Sequence, residues 1–353
     1  MSYYQAFSST VIGISHSKYD KECQDFSAHH FSKNADVAIA VVADGHGAEE
    51  CFRSAKGAEI AAHCAIKSIA EFIFAMQDRF TARFFHKAEA PSRTEFEKLL
   101  LGNVKHIVAG WHNEVEQDYT ANPFTQKELE SAGDKYREAF ASGTESYKAY
   151  GTTLIACAVT PDYWFGIHIG DGRLTALYKD GTCDQPVPWD ERCFLNVTTS
   201  ICDEDAADRA RVYYCPRTEK EAPLAVFLCS DGIDDNYPVD DNEKHLFKLY
   251  RTILQTFAED GFDSTCVQLK DLANSFATKG KGDDTSIAGF IDMDAVKATA
   301  ETWKKQIEDE GEKVANPSAE KPEESENNRV EAYGTFVPGL GTKIDKEEKE
   351  KTQ

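Results

Sequence analysis

The sequence predicts an α+β fold, from two observations. Short apolar, β-branched runs bounded by Gly, Pro and Asp alternate with long stretches of helical periodicity, and the two kinds of segment are grouped rather than regularly alternating as in a doubly wound sheet. The run Val37-Ala38-Ile39-Ala40-Val41-Val42-Ala43 is apolar at every position, the signature of a strand buried on both faces. It stops at Asp44-Gly45-His46-Gly47, a turn that opens a strand end to solvent.

The remaining elements follow in order. Glu49 to Met76 contains no proline and places Phe52, Ala55, Ala62, Ile66, Ile69 and Ile73 at helical spacing, which predicts a long amphipathic helix. A second helix is expected from about Thr94 to Tyr119. The polar stretch between Tyr119 and Tyr150 reads as a partly helical excursion, so that residues 78–150 form an insertion. Thr152 to Thr160, Tyr163 to Ile169 and Leu174 to Lys179 have strand character and are joined by Pro161-Asp162, Gly170-Asp171-Gly172 and Asp180-Gly181 turns, which predicts an antiparallel meander. Residues 182–223 read as a surface loop with one or two strands. The run Leu224 to Ser230 leads into Asp231-Gly232; helices follow at His245 to Glu259 and Ser264 to Thr278, and a last strand at Ser286 to Ile291. Beyond Asp294 a helix is expected through Trp303 to Lys313. Pro317, Pro322 and the run Glu323-Glu324-Ser325-Glu326-Asn327-Asn328 then leave too little apolar area to offset the entropy of ordering, and the tail is expected to be disordered.

Composition narrows the function classes. A chain of 353 residues with 41% hydrophobic content can bury a sizeable core. Its formal net charge of −22, from 61 acidic against 39 basic residues, repels nucleic-acid phosphates at long range. There is no secretory signal and no apolar run of membrane-spanning length, so the expected location is the cytoplasm, with no membrane partner. The ten cysteines include no C-x-x-C pair and fit reduced thiols better than zinc ligands or disulfides.

The chemistry is carried by carboxylates beside strands. Asp44, Asp171 and Asp231 each follow an apolar run and precede a glycine, while Gly282-Asp283-Asp284 precedes one. Four such junctions spread along the chain point to strand ends that converge on one acidic pocket. Crowded carboxylates repel one another, so the pocket needs protons, basic partners or cations. Oxygen donors without a His or Cys cluster favour Mg²⁺ or Mn²⁺.

Tyr150-Gly151-Thr152-Thr153, Ile169-Gly170-Asp171-Gly172-Arg173, Ser230-Asp231-Gly232-Ile233-Asp234-Asp235 and Gly282-Asp283-Asp284-Thr285, taken in order after Asp44-Gly45-His46-Gly47, resemble the motif set of the PP2C-type metal-dependent serine/threonine protein phosphatases. The match runs across residues 8–292. Gly13-Ile14-Ser15-His16 with Cys23-Gln24-Asp25 is similar to the branch common in bacteria. The resemblance implies two antiparallel sheets packed face to face with helices outside, in a phosphatase domain over 1–294, with 295–353 a short helix and tail. It implies two Mg²⁺ or Mn²⁺ ions held by Asp44, the Gly45 carbonyl, Asp231 and Asp284, with Asp25 orienting water at the rim. Asp171, with Asp231, matches a third metal position. The reaction implied is attack on phosphoserine or phosphothreonine by a metal-bridging hydroxide, with His46 as general acid.

Other roles are more local. Gly151-Thr152-Thr153 is read as structural support, Arg173 as a partner for a nearby carboxylate, and residues 182–223 as a flap that selects substrate. One departure stands out: Asp20 occupies the place of the family's phosphate-gripping Arg, leaving Lys18 as the candidate substrate contact. The expected partner is a phosphorylated protein, the product of a serine/threonine kinase in signalling. The alternatives are a pseudophosphatase acting as a phosphoprotein-binding scaffold, and a hydrolase of small phosphate esters. Retention of Asp44, His46, Asp231 and Asp284 favours catalysis over the scaffold.

Overall fold

A strand that is apolar on both faces must be covered on both faces, and the architecture answers that requirement with four layers. The computed structural model describes residues 4–86, 91–194, 197–217, 222–238 and 241–315, with side chains at all of these except 78–86 and 308–315. The expected acidic tail after 316 lies outside the described residues.

The first half comprises β1 (Tyr4–Val11), the single turn α1 (Ile14–Ser17), β2 (Phe26–Ser32), β3 (Val37–Ala43), α2 (Ser54–His86), α3 (Arg93–Ala121), α4 (Gln126–Ser131) and α5 (Gly133–Ala141). A 3-10 turn, Ser146–Tyr150, leads into β4 (Leu154–Val159), β5 (Tyr163–Ile169), β6 (Arg173–Leu177) and β7 (Cys183–Asp184). Then come α6 (Ala206–Arg209), β8 (Arg211–Pro216), β9 (Ala225–Cys229), α7 (Asp231–Asp234), α8 (Asn242–Asp260), α9 (Phe262–Lys279), β10 (Thr285–Asp292) and α10 (Met293–Ala315).

The strands form two antiparallel sheets, one ordered β1-β10-β9-β6-β7 and the other β2-β3-β4-β5-β8. Ala38, Ala40 and Val42 face Val226, Leu228, Ala288 and Phe290 in the core between the sheets. Val37, Ile39, Val41 and Ala43 point the other way, onto Ala58, Ala61, Ala65 and Ile69 of α2 and the apolar stripe of α3. Phe227, Ile287 and Ile291 meet Leu249, Ile253 and Phe257 of α8 and Leu272 and Phe276 of α9. This is the α+β sandwich flanked by helices that was expected.

Several elements differ from expectation, each for a physical reason. The predicted meander is interrupted: β4 and β5 pair, but β6 pairs with β9 in the opposite sheet. Gly170-Asp171-Gly172 is therefore a crossing between sheets rather than a hairpin, and Gly170 takes a φ of +112° there. β1 and β2 escaped the sequence reading because both are edge strands, whose polar residues blur the period of two. α10 runs where a helix was expected after Asp294, but it belongs to the folded body rather than to a tail, with Val296 and Trp303 fully buried. Among the described residues no helix is long and apolar enough to cross a membrane. All ten cysteines are free, five buried and five partly so.

The insertion is built onto the start of α2. Arg53 donates from Nε and Nη2 to the Glu128 carboxylate at 2.7 and 3.1 Å and from Nη1 to the Tyr150 hydroxyl at 2.8 Å. Phe52, Phe124 and Phe140 pack edge-on beneath it. This fixes the 3-10 turn, and with it Lys148, against the end of β3.

Truncating a fully buried Trp leaves a large cavity, so Trp303→Ala is expected to cost about 3–5 kcal/mol. Guanidinium denaturation checks this. An unchanged midpoint would show that α10 is not part of the cooperative unit.

Candidate functional site

Five segments end at the same side of the sandwich, and each delivers a carboxylate. Asp44 follows β3 and Asp25 precedes β2 in one sheet; Asp231 follows β9 and Asp284 precedes β10 in the other; Asp171 sits on the crossing between them. All five line one cleft of about 1600 Å³. Close backbone contacts bring them together. A Cβ on Gly232 would lie 1.9 Å from the Asp284 carbonyl oxygen, and one on Gly45 would lie 2.5 Å from that of Gln24. Only glycine lets the Asp231 turn rest on the Asp284 strand and the Asp44 turn rest beside Asp25.

Hydrogen bonds hold each carboxylate's backbone or side chain. The Thr153 amide and the Thr152 hydroxyl both donate to the Asp44 carbonyl at 2.8 Å, and the Asp44 amide donates to Thr153 Oγ1 at 3.1 Å. Gly151-Thr152-Thr153 thus acts as the expected support. Ser230 Oγ donates to Asp25 Oδ2 at 2.7 Å and accepts from the Ser286 amide at 3.0 Å. Arg173 pairs with Asp234 at 2.5 Å and stacks 4.0 Å over the Trp189 ring, tying the 182–223 segment to the turn that carries Asp231.

The electrostatics are those of crowded, partly desolvated anions. Burial first, then the charges of Asp25, Asp231 and Asp171, push the Asp44 carboxyl well above the usual carboxylate range. Asp25 is raised by burial and by Asp284 and Asp231. Asp231 rises to about 7 by burial and the nearby Asp171, and it lies within hydrogen-bonding reach of Asp44. Burial also raises Asp171, partly offset by a hydrogen bond from Thr198. Burial lowers the His46 imidazole to about 4, against the opposing pull of Asp203, so it is neutral at pH 7.

These residues fit a hard divalent cation in donor chemistry and in charge. The donors are oxygens, the carboxyls repel one another, and two further acceptors facing the cleft, Gln24 Oε1 and Asp234 Oδ1, are buried with no hydrogen-bond partner. Among the described residues no three His, Cys, Asp or Glu side chains form a ready-made ligand cluster. Asp284 is engaged by protein donors. Its Oδ1 accepts from the Gly13 amide at 2.7 Å, and its Oδ2 accepts from the Gln24 amide at 2.6 Å and meets His16 Nδ1 at 2.9 Å. A carboxylate has about four acceptor positions, so one remains for a cation.

Of the residues singled out in the sequence, Asp25, Asp44, Gly45, His46, Asp171, Asp231 and Asp284 line the cleft together. Lys18 does not: it is exposed at the end of α1 and is absent from the cleft lining. Lys148 takes a place in the wall beside His46, and its charge lowers the imidazole further. Sequence reasoning passed over Lys148 because it lies in a polar insertion with no strand-end signal. It passed over Gln24 as well, which donates from Nε2 to Ser54 Oγ at 2.7 Å and to the His46 carbonyl at 3.3 Å. Adjacency to Asp25 was its only mark.

Residues 12–274 match the family Protein phosphatase 2C, and the chain belongs to that family. No curated protein matches the sequence. Solved structures it is similar to include PppA, a key regulatory component of T6SS in Pseudomonas aeruginosa, at 15% identity and TM-score 0.47, covering 82% of this chain and 98% of that one. The serine/threonine phosphatase Stp1 of Staphylococcus aureus is 16% identical, with TM-score 0.45 and coverages of 82% and 95%. The catalytic domain of the serine threonine protein phosphatase PstP, in complex with two manganese ions, is 15% identical, with TM-score 0.47 and coverages of 82% and 99%.

The raised carboxyls set a sign for stability. Without cations these carboxyls bind more protons in the folded state than in the unfolded chain between about pH 4 and 7, so their contribution to stability falls as pH rises through that window. They outweigh in number the lowered His46 and His168, which act the other way up to about pH 6.5. Cations that bind the ionised carboxylates oppose the fall. In EDTA the melting temperature is expected to drop from pH 5 to pH 7.5, and Mn²⁺ to raise it more at pH 7.5 than at pH 5. Melting curves independent of both pH and Mn²⁺ would contradict this electrostatic picture.

Proposed function

We propose that this member of the protein phosphatase 2C family hydrolyses phosphoserine and phosphothreonine in proteins, opposing a kinase in signalling, at the acidic cleft. The observation that carries the reading is the convergence of five aspartates from five separate segments into one cleft where they repel one another. Asp44, the Gly45 carbonyl, Asp231 and Asp284 are the groups that would hold two Mg²⁺ or Mn²⁺ ions, with Asp25 buried beside them and Asp171 available to a third. Bound there, such ions shield phosphoryl oxygens and supply a nucleophile from water near neutral pH.

The chain's own residues do the rest. Lys148, rather than the distant Lys18, stands beside His46 as a point charge for the phosphate. His46 is neutral in the free cleft, and a phosphate dianion beside it raises its affinity for a proton. The protonated ring can then donate to the leaving seryl or threonyl oxygen. Its position depends on Gly151, since a Cβ there would lie 2.8 Å from His46 Cδ2. Asp25, fixed by Ser230 and buried rather than at the rim, would accept a proton from water inside the cleft.

One observation favours a second reading. Asp284 already accepts three hydrogen bonds from the N-terminal segment, as expected of a clamp in a phosphoprotein-binding module without turnover.

Hydrolysis of p-nitrophenyl phosphate and of a phosphothreonine peptide separates the two. EDTA is expected to abolish turnover and Mn²⁺ or Mg²⁺ to restore it, with Asp231→Asn lowering kcat/KM at least about 100-fold, roughly 3 kcal/mol of barrier. A folded, Mn²⁺-supplied wild type that binds the peptide without turning it over would establish the binding module instead. Gly151→Ala, at a position with an ordinary φ of −54°, is expected to lower kcat about 100-fold by displacing His46, with melting temperature little changed. Retention of full kcat in that variant would remove His46 from the reaction.

A further inference from the structure

Around the central aspartates the cleft has acidic walls and an apolar rim. Glu50, Asp203, Asp235, Glu243 and Asp283 line it in addition to the groups that would hold cations. Asp235, Glu243 and Asp283 are exposed, and Asp203 reaches a cation only at 3.5 Å, on Arg209. Against them stand Lys148 and Lys281, while the charge of Arg173 is already matched by Asp234. Divalent ions at the centre would neutralise their own ligands and leave this outer excess of negative charge in place.

The rim carries the opposite kind of surface. Phe194 and Val197 face each other across an antiparallel bridge, closed by amide-to-carbonyl bonds of 2.9 and 3.1 Å in both directions. Residues paired in this way project on the same side. The two form one apolar knob, 71% and 65% exposed, and both line the cleft. Trp189, 47% exposed, adds an aromatic face that Arg173 and Asp234 hold in place from below. Large apolar groups kept in water around a charged cleft gain free energy when an incoming chain covers them.

We infer that the cleft selects phosphorylated segments in which basic residues flank the phosphoserine or phosphothreonine and an apolar or aromatic side chain reaches the Trp189, Phe194 and Val197 rim. The inference rests on the phosphatase reading and assigns the substrate class of that same site. Two complementarities support it. The wall carboxylates attract Lys and Arg flanks and repel Asp and Glu flanks, while the rim offers burial to an apolar side chain and nothing to a charged one. The attraction acts through solvent-exposed charges and weakens with salt; the apolar contribution does not.

Matched phosphothreonine peptides of one length test this with the full chain in Mn²⁺. Their flanks are basic with a Leu or Phe, basic without it, neutral with it, or acidic. The basic, apolar peptide is expected to exceed the acidic one in kcat/KM by roughly 10-fold or more at low salt, with the basic part of the advantage shrinking as NaCl is added. Asp235→Asn with Glu243→Gln is expected to reduce the preference for basic flanks. Phe194→Ser with Val197→Ser is expected to reduce the preference for the apolar residue. Each variant is referred to its own p-nitrophenyl phosphate turnover, so a folding defect shows as loss on both substrates.

Equal or faster turnover of the acidic peptide overturns the inference, as does an apolar preference that survives loss of the knob. If the Mn²⁺-supplied wild type turns over no phosphoester at all, the phosphatase reading has failed separately. The same peptides measured by fluorescence anisotropy then decide the selectivity, which is contradicted if their Kd values do not differ.

Discussion

Buried like charges are the constraint on which this structure depends. Asp25 is buried, Asp44, Asp171 and Asp231 are partly so, all four lie within each other's fields, and their carboxyls are raised above the ordinary range as a result. Such an arrangement persists only if the surrounding fold over-determines it. Here it does so through glycines that let one turn lie directly on the next strand, through threonine and serine hydroxyls that hold the Asp44 and Asp25 segments, and through the Arg173–Asp234 pair. The packed strands supply the free energy that keeps the carboxylates together, and a counter-charge at their centre would relieve the repulsion.

The sandwich makes this convergence possible because its two sheets end at a common edge. One sheet brings Asp44 and Asp25, the other Asp231 and Asp284, and the chain crosses between them at Asp171. The walls come from less regular parts of the chain. The insertion, pinned through Arg53 and Glu128, presents Lys148 beside His46, and the 182–223 segment presents Trp189, Phe194 and Val197 at the rim. Rigid strands thus position the charged centre, while loops set the chemistry of what approaches it.

Much of this was legible in the sequence, because burial leaves a mark on composition. Val37 to Ala43 reads as a strand covered on both faces since alternate residues enter two different cores. The Asp-Gly junctions are visible because a carboxylate followed by glycine at the end of an apolar run is a local pattern. The rest depends on contacts that no local pattern encodes. The crossing at Gly170-Asp171-Gly172 looks like a hairpin turn until its flanking strands are seen to pair with different partners. β1 and β2 are edge strands with mixed polarity. Lys148 reaches the cleft only because the insertion docks on α2, and the clamp on Asp284 joins residues 260 or more apart in sequence.

On the proposed reading the converged aspartates would hold divalent cations. Crystals of the protein grown with Mn²⁺ and measured at the manganese absorption edge test it most directly. Anomalous peaks are expected in the cleft at Asp44 and Asp231, with the mutual contact of those carboxyls broken. A map without peaks in the cleft, with Asp44 and Asp231 still within hydrogen-bonding reach of each other at saturating Mn²⁺, would contradict it.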